Sequence, residues 1–535
     1  MRLAIALLTL AAAAVGGAWT WLGAPVEMPQ AARAAADKLD CVSYAPFRAD
    51  QDPFGPDVPI DPRQIEEDLA QLHPFTDCVR TYSVDHGLDA IPEIAARHGM
   101  KVMQGLWLSN RPELNRYQID NAVALAKRFP QVIEAVVVGN EVLLRGEMAA
   151  PALAATLREV KAQISQPVTY ADVWEFWLRN RDLAAAADFV TVHILPYWED
   201  FPLPAELAAR HVQSIRAQVV AAFPGKDVLV GEFGWPSAGR MREGALPSRA
   251  NQARTVQEVW ALAKAEKFRV NIIEAYDQPW KRQLEGAVGG HWGLFDAYAR
   301  QAKFTLGAPV SNHPQWRWQA LAGVVLVAAI FGVAGLTARG GRRRALAARD
   351  WLGVAVMAAV AGTLIGWTAE NVPLESLTLG DWLRSLAWAL LALAAPIAAA
   401  SALAAATPVP SFRRVLGRRD ERVRDRLALS LGALRIALTV LGVAVALGLT
   451  FDPRYRDFPF APLTGAAVAF VVLMPRRPAR RDLRLSAETV AAATLALSAI
   501  YIVFNESFAN WQALWFCAGL LALAVTLLPG PAEQD

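Results

Sequence analysis

Two patterns of apolar positions divide the chain. Between residues 37 and 310, short β-branched runs alternate with stretches whose apolar residues recur at three and four. The short runs are "DCVSYAPF", "DCVRTYSV", "MKVMQGLWL", "IEAVVVGNEV", "QPVTYADVW", "DFVTVHILPYW", "DVLVGEFGWP" and "RVNIIEAYDQPW". Between them "PRQIEEDLAQL", "GLDAIPEIAARHG", "LNRYQIDNAVALAKRF", "PALAATLREVKAQI" and "RANQARTVQEVWALAKAEKF" read as helices, several of them amphipathic. This alternation predicts a parallel sheet, and eight strands in roughly 240 residues suit an α/β fold of the (β/α)8 TIM-barrel type. A doubly wound open sheet is the alternative, weakened by the lack of a Gly-rich phosphate fingerprint after the first strand.

From Trp316 onward the pattern becomes long apolar runs, at about 318–337, 351–369, 382–405, 427–450, 459–474, 485–504 and 511–529. Most could cross a hydrocarbon core of about 30 Å at about 1.5 Å per residue, although the run at 459–474 is short. An all-α polytopic transmembrane region is therefore expected over residues 316–530. Residues 1–24 carry one arginine and then an apolar run, as in a signal anchor or a signal peptide; the lack of an immediate small-x-small cleavage site favours the anchor.

Charge gives these segments a direction. The loops "RGGRRR", "FRRVLGRRDERVRDR" and "PRRPARRDLR" are strongly basic and alternate with "ENVPLESLTLGD", "FDPRYRDFP" and "NESFAN". Basic loops stay in the cytoplasm, so the run at 318–337 enters from outside, which leaves residues 37–310 outside. With Arg2 inside, the amino-terminal run delivers the chain to the same side. Arg435 and Glu488 lie within expected spans near their cytoplasmic ends, where snorkelling accounts for them.

Composition agrees: 54% hydrophobic residues and a mean hydropathy of +0.24 exceed an ordinary soluble protein, and membrane lipid is an expected partner. A net charge of +3 offers no case for nucleic acid. Cys41, Cys78 and Cys517 match no zinc spacing and no H-E-x-x-H occurs, so neither metal nor cofactor is expected. Cys41 and Cys78 occupy equivalent places in "LDCVSY" and "TDCVRTY"; a disulfide and two small buried thiols both fit.

Polar and aromatic residues gather at the carboxyl ends of the short runs: Tyr44, Arg80, Tyr82, Trp107, Asn140, Glu141, Trp174, Tyr197, Trp198, Glu232, Trp235, Asp277 and Trp280. A barrel holds its site at that rim, and aromatic faces beside carboxylates and amides suit a sugar. Glu141 and Glu232 end the fourth and seventh runs, which face each other across a small barrel. Retaining cleavage of a glycoside needs two such acids about 5–5.5 Å apart, one protonated with a raised pKa and one ionised. Asn140 is placed to bond the sugar's 2-hydroxyl.

"VGNEVL", then "GEFGWPSAG" about ninety residues on, "YDQPWK" and "EGAVGGHWGLFD" together resemble glycoside hydrolase family 17, the β-1,3-glucanases and β-1,3-glucan transglycosylases, over residues 39–300. The resemblance implies Glu141 as acid/base, Glu232 as nucleophile, and Asp277, Lys281 and Glu285 as supporting polar residues. Plant members carry threonine where Phe233 stands. A family 17 domain joined to a polytopic tail ending near "NWQALW" resembles bacterial proteins described as β-1,6-glucan synthases or periplasmic β-glucan transglycosylases. That implies a bacterial inner-membrane protein with a periplasmic barrel, a β-glucan substrate, and a glucan-synthesising glycosyltransferase as candidate partner. The alternative is a membrane β-glucan synthase or exporter whose barrel remodels the transported glucan. The cytoplasmic loops lack the D-x-D and Q-x-x-R-W motifs of a nucleotide-sugar transferase.

Overall fold

A computed structural model describes residues 2–29, 37–55, 60–340, 346–417, 423–476 and 486–528. The chain forms two compact units, one of Val26–Ala238 with Gly244–Val310, the other of Met1–Pro25, Gly239–Glu243 and Ser311–Asp535.

In the first unit each short run supplies one strand: β1 Cys41–Ser43, β2 Cys78–Arg80, β3 Lys101–Leu106, β4 Ile133–Asn140, β5 Val168–Val173, β6 Val190–His193, β7 Val228–Phe233 and β8 Val270–Ile272. They pair in sequence order, and β8 returns to β1 through Cys41 opposite Asn271 and Val42 opposite Ile272. That closure excludes the open sheet. The expected helices appear at Pro62–Leu72, Ile91–Arg97, Pro112–Arg128, Ala150–Lys161 and Arg249–Glu266. Asp61 starts the first by accepting the Arg63 amide at 2.9 Å, with Pro62 in the first turn where no donor is needed. Trp174–Arg179 and Ala208–Ala222 are additional to the expected helices; the former is too short for periodicity, and the latter opens on two alanines that blur its apolar stripe of Val212, Ile215 and Val219.

Strand alternation sorts the side chains. Val42, Val79, Val102, Val136, Val138, Val168, Val190, Val192, Val230 and Val270 join the core beneath the helices. Cys41, Cys78, Met103, Ala135, Val137, Ala171 and Leu229 pack together as an apolar floor inside the barrel. Cys41 and Cys78 form a disulfide between β1 and β2, their Cα atoms 4.5 Å apart, which decides between the disulfide and the pair of free thiols. The register slips between Val137 and Asn140, Val192 and His193, and Val230 and Phe233. Such irregularities re-aim side chains, and here they flank the strand-end acids.

In the second unit Arg2–Leu22, Trp316–Arg339, Ala348–Glu375, Leu379–Ala405, Arg426–Phe451 and Ala487–Glu506 are long and apolar enough to cross a membrane, whereas Phe460–Val472 and Trp511–Leu527 are shorter apolar helices. Trp19 of the amino-terminal helix is buried and donates its indole N–H to Thr363 O at 3.2 Å. Much of the three basic loops, residues 341–345, 418–422 and 477–485, lies outside the described residues.

Snorkelling does not describe Arg435 and Glu488, which are only 5% and 4% exposed. Arg435 donates to Pro410 O at 2.7 Å, Glu488 accepts the Phe412 amide at 2.7 Å, and the two charges stand 3.9 Å apart. They satisfy backbone groups of a turn between helices, which would otherwise be buried without partners.

Candidate active site

Arg80, the last residue of β2, is 1% exposed and reaches across the barrel. Its Nη1 donates to Gly231 O at 2.7 Å and Glu232 Oε1 at 3.1 Å, and its Nη2 to Asn140 Oδ1 at 2.5 Å. A buried guanidinium needs such partners, and it complements the Glu232 carboxylate in return. Tyr82 donates its hydroxyl to the same Glu232 oxygen at 2.8 Å. Behind it Ser43 bonds the Tyr82 oxygen at 2.7 Å and accepts from Asn271 at 2.7 Å, so Glu232 is held from two sides.

Glu141 is aimed by a backbone turn. Gly139 and Glu141 have φ of 84° and 52°, the left-handed region, which for a glutamate costs about 1–3 kcal/mol. The turn takes the chain off β4 while the Glu141 amide still bonds Ala171 O at 2.8 Å. Arg145 braces it by bonding Asn140 O, donating to Leu108 O at 2.6 Å and lying 4.0 Å over the Trp107 ring.

The imidazole of His193, 1% exposed at the end of β6, lies between the two acids. Nδ1 is 3.0 Å from Glu141 Oε1, and Nε2 is 3.5 Å from Glu232 Oε1 and from Arg80 Nη1. Gly231 makes room for this: a Cβ there would meet the Thr191 methyl at 2.3 Å and the imidazole at 3.4 Å. The facing atoms of Glu141, His193 and Glu232 all lie within 4.8 Å of one another. Such a close approach of the facing oxygens is compatible with the spacing of about 5–5.5 Å between carboxyl groups in retaining glycosidases and shorter than the roughly 6.5–9.5 Å of inverting ones. The same three groups are close enough for a cation, but the Arg80 guanidinium already brings positive charge against Glu232 and the ring.

The resting electrostatics differ from the expected raised acid. Burial pushes Glu141 up, but the His193 hydrogen bond and the charges of His193, Arg145 and Arg80 outweigh it and bring the carboxyl below its usual value. Nearby, burial lifts Asp172 to about 6, although its carboxylate accepts the Val173 amide at 2.7 Å.

The other expected residues divide. Asn140 is buried, and its side-chain oxygen takes the Arg80 bond. Lys281 contacts both oxygens of Glu274 at 2.9 and 2.8 Å; burial disfavours its ammonium, but the charges of Glu274 and Glu285 more than compensate and raise it. Burial raises Glu285, with Glu141 and Glu232 adding to the effect. Half-buried Trp280 meets Phe54 edge to face at 5.5 Å, and Trp174 donates to Glu199 at 3.2 Å. Trp198 stacks on Trp292 at 6.3 Å. Besides Arg80 and Lys281, four further residues expected on the substrate bond or pack against protein partners. Tyr44 donates to Asp68 at 3.0 Å, Trp235 donates to Leu246 O at 3.0 Å, Tyr197 is buried against Trp235 and Trp292, and Asp277 accepts from Lys303 at 2.6 Å and the Gly293 amide at 2.9 Å.

His193 and Glu274 are additions to the expected site. In "VTVH" the outward valines 190 and 192 imply that His193 points inward, two residues above Thr191, and that alternation is the signal that could have found it. Glu274 is buried just after β8, ahead of Asp277.

Residues 41–293 match the family model of the BtgE/BtgC glycoside hydrolase domain. The chain is 25% identical over 256 residues to a glucan 1,3-beta-glucosidase of Saccharomyces cerevisiae, covering 43% of this chain and 80% of that protein. It is 28% identical over 246 residues to the probable beta-glucosidase btgE of Aspergillus flavus, covering 44% of this chain but only 39% of that protein's length. Among solved structures it is similar to a beta-1,3-glucanosyltransferase of Rhizomucor miehei in complex with laminaritriose, at 24% identity and a TM-score of 0.45, covering 50% of this chain and 97% of that one. Residues 41–293 thus match a glycoside hydrolase domain model, and the proteins of similar sequence include glucan 1,3-beta-glucosidases and probable beta-glucosidases.

Proposed function

We propose that the protein is a retaining glycoside hydrolase or transglycosylase acting on β-1,3-glucan, with its barrel held at the extracytoplasmic face of a bacterial inner membrane by its apolar helices. The observation that carries this reading is the placement of Glu141 and Glu232 oxygens within 4.8 Å of each other. Glu232, paired with Arg80 and Tyr82, attacks the anomeric carbon. Glu141 protonates the leaving oxygen and later deprotonates the acceptor, which is water in hydrolysis and a sugar hydroxyl in transfer. Asn140 donates to the 2-hydroxyl, and Trp107, Trp174 and Trp280 offer ring faces to neighbouring glucosyl units. The Cys41–Cys78 disulfide supports an oxidising compartment.

The test is proton NMR of the first product released from laminari-oligosaccharides by the full-length chain in detergent. A β-anomer supports retention, and an α-anomer contradicts it. Products longer than the substrate identify transfer, and shorter products alone identify hydrolysis.

A further inference from the structure

A retaining site must supply one proton to the leaving oxygen and recover one from the acceptor. In this protein the residue placed to do so, Glu141, has Nδ1 of a buried imidazole 3.0 Å from its carboxylate, and the other ring nitrogen faces the nucleophile. The charged groups around the ring come from four strands. They are Arg80 of β2, Glu141 at the end of β4, Asp172 of β5 and Glu232 of β7, with Arg145 beside Glu141. Arg80, tied to Gly231 O, Glu232 and Asn140, stands 3.5 Å from Nε2 of His193, while Nδ1 faces Glu141 at 3.0 Å. Orientation by itself would need only a donor at that point. A ring with one nitrogen toward each acid can also follow the charge of both.

Resting on the assignment of Glu141 and Glu232 above, we propose that His193 stores the proton that Glu141 delivers, acting as a proton-positioning residue through that carboxylate. In the resting site the imidazolium donates from Nδ1 to Glu141. During glycosylation the Nδ1–H bond breaks as the Glu141 O–H bond forms. Glu141 then gives that proton to the glycosidic oxygen while the anomeric carbon leaves that oxygen and bonds to Glu232. The aglycone departs as a neutral alcohol, His193 is neutral, and Glu141 is again a carboxylate. In the second half the acceptor hydroxyl loses its proton to Glu141, its oxygen bonds the anomeric carbon, and the bond to Glu232 breaks. Glu141 returns the proton to Nδ1. The ester removes the Glu232 charge from 3.5 Å of Nε2 at the stage when the ring gives up its own charge, so the two changes offset each other.

His193→Asn tests this, because asparagine keeps an N–H near the position of Nδ1 and so keeps Glu141 oriented while removing the exchangeable acid. In the full-length chain the alkaline limb of kcat/KM on laminari-oligosaccharides is expected to move down by about one pH unit, with kcat falling on the order of 100-fold. An aryl glucoside with an acidic phenol as leaving group needs little protonation, so its cleavage is expected to fall less than about tenfold. An unmoved alkaline limb, or equal losses on both substrates, overturns the relay. Should the variant fold poorly, nitrogen-15 histidine NMR on the unaltered chain addresses the same question. His193 charged in the free enzyme and neutral in the trapped glycosyl-enzyme supports the relay, and one charge state in both overturns it. Glu141→Gln and Glu232→Gln run in parallel keep the two readings apart. If either stays active on laminari-oligosaccharides, the assignment of the acids fails, whereas with both inactive on them the His193 result judges the relay alone.

Discussion

The floor and the mouth of the barrel are built from the same strands, one pleat apart. On β1 the inward side chain changes from Cys41 to Ser43, on β2 from Cys78 to Arg80, and on β6 from Thr191 to His193. Below that step the interior is mostly sulfur and hydrocarbon, joined by a disulfide, with the buried Thr169 and Thr191 hydroxyls bonded to each other at 2.9 Å. Above it the interior is charged, with Arg80 and Tyr82 on Glu232, His193 on Glu141, and Ser43 between Tyr82 and Asn271. A largely apolar floor limits the access of water to the mouth from below, which strengthens each electrostatic contact there. Changes at the mouth should therefore cost chemistry, with stability lost as well where a buried charge loses its partner, and changes at the floor should cost stability alone.

The sharpest separation is expected from Glu232→Gln. Activity on laminari-oligosaccharides should fall on the order of 10,000-fold, because the amide cannot form the covalent intermediate, while the melting temperature stays within a few degrees. Next is Arg80→Met, which leaves Glu232, Asn140 Oδ1 and Gly231 O without their donor; a stability loss of about 3–5 kcal/mol in chemical denaturation, with loss of activity, is expected. A neutral result would show that the mouth tolerates an unpaired carboxylate.

At the floor, replacing Cys41 and Cys78 together by serine opens a disulfide spanning 37 residues, which is expected to cost about 3–4 kcal/mol while kcat at low temperature stays unchanged. A fall in kcat without loss of stability would erase the distinction between the two layers. The smallest effect concerns Asp172, lifted from 3.8 to about 6 by burial. The fold favours its protonated form, so its stabilising contribution is whole below the unfolded value and is lost as pH rises through about 6. Relative to Asp172→Asn, which does not titrate, the parent chain should lose up to about 3 kcal/mol across that window, read from denaturation midpoints. A difference that does not vary with pH would contradict the assignment.

The barrel was legible because the strands are short apolar runs, most of them rich in valine, and the helices because most carry an apolar stripe. Glu141 and Glu232 were legible as acids that close such runs. His193 escaped because it belongs to β6 itself, and its place depends on counting alternation rather than strand ends. Tyr44, Tyr197, Trp235 and Asp277 sit at strand ends as expected, yet their direction is decided by Asp68, Trp292, Leu246 and Lys303, each set by distant parts of the chain. Arg435 and Glu488 were visible as charges in apolar runs, but their task is set by the turn at 410–412.

The most direct measurement is to trap the intermediate. Full-length chain is incubated with an activated 2-fluoro laminaribioside, which forms a glycosyl-enzyme and releases it slowly, and then digested for peptide mass spectrometry. A glucosyl label on Glu232, within "VLVGEFGWP", is the expected result. A label on another carboxylate, or turnover of ordinary substrate with inversion and no label, would contradict the two-glutamate site.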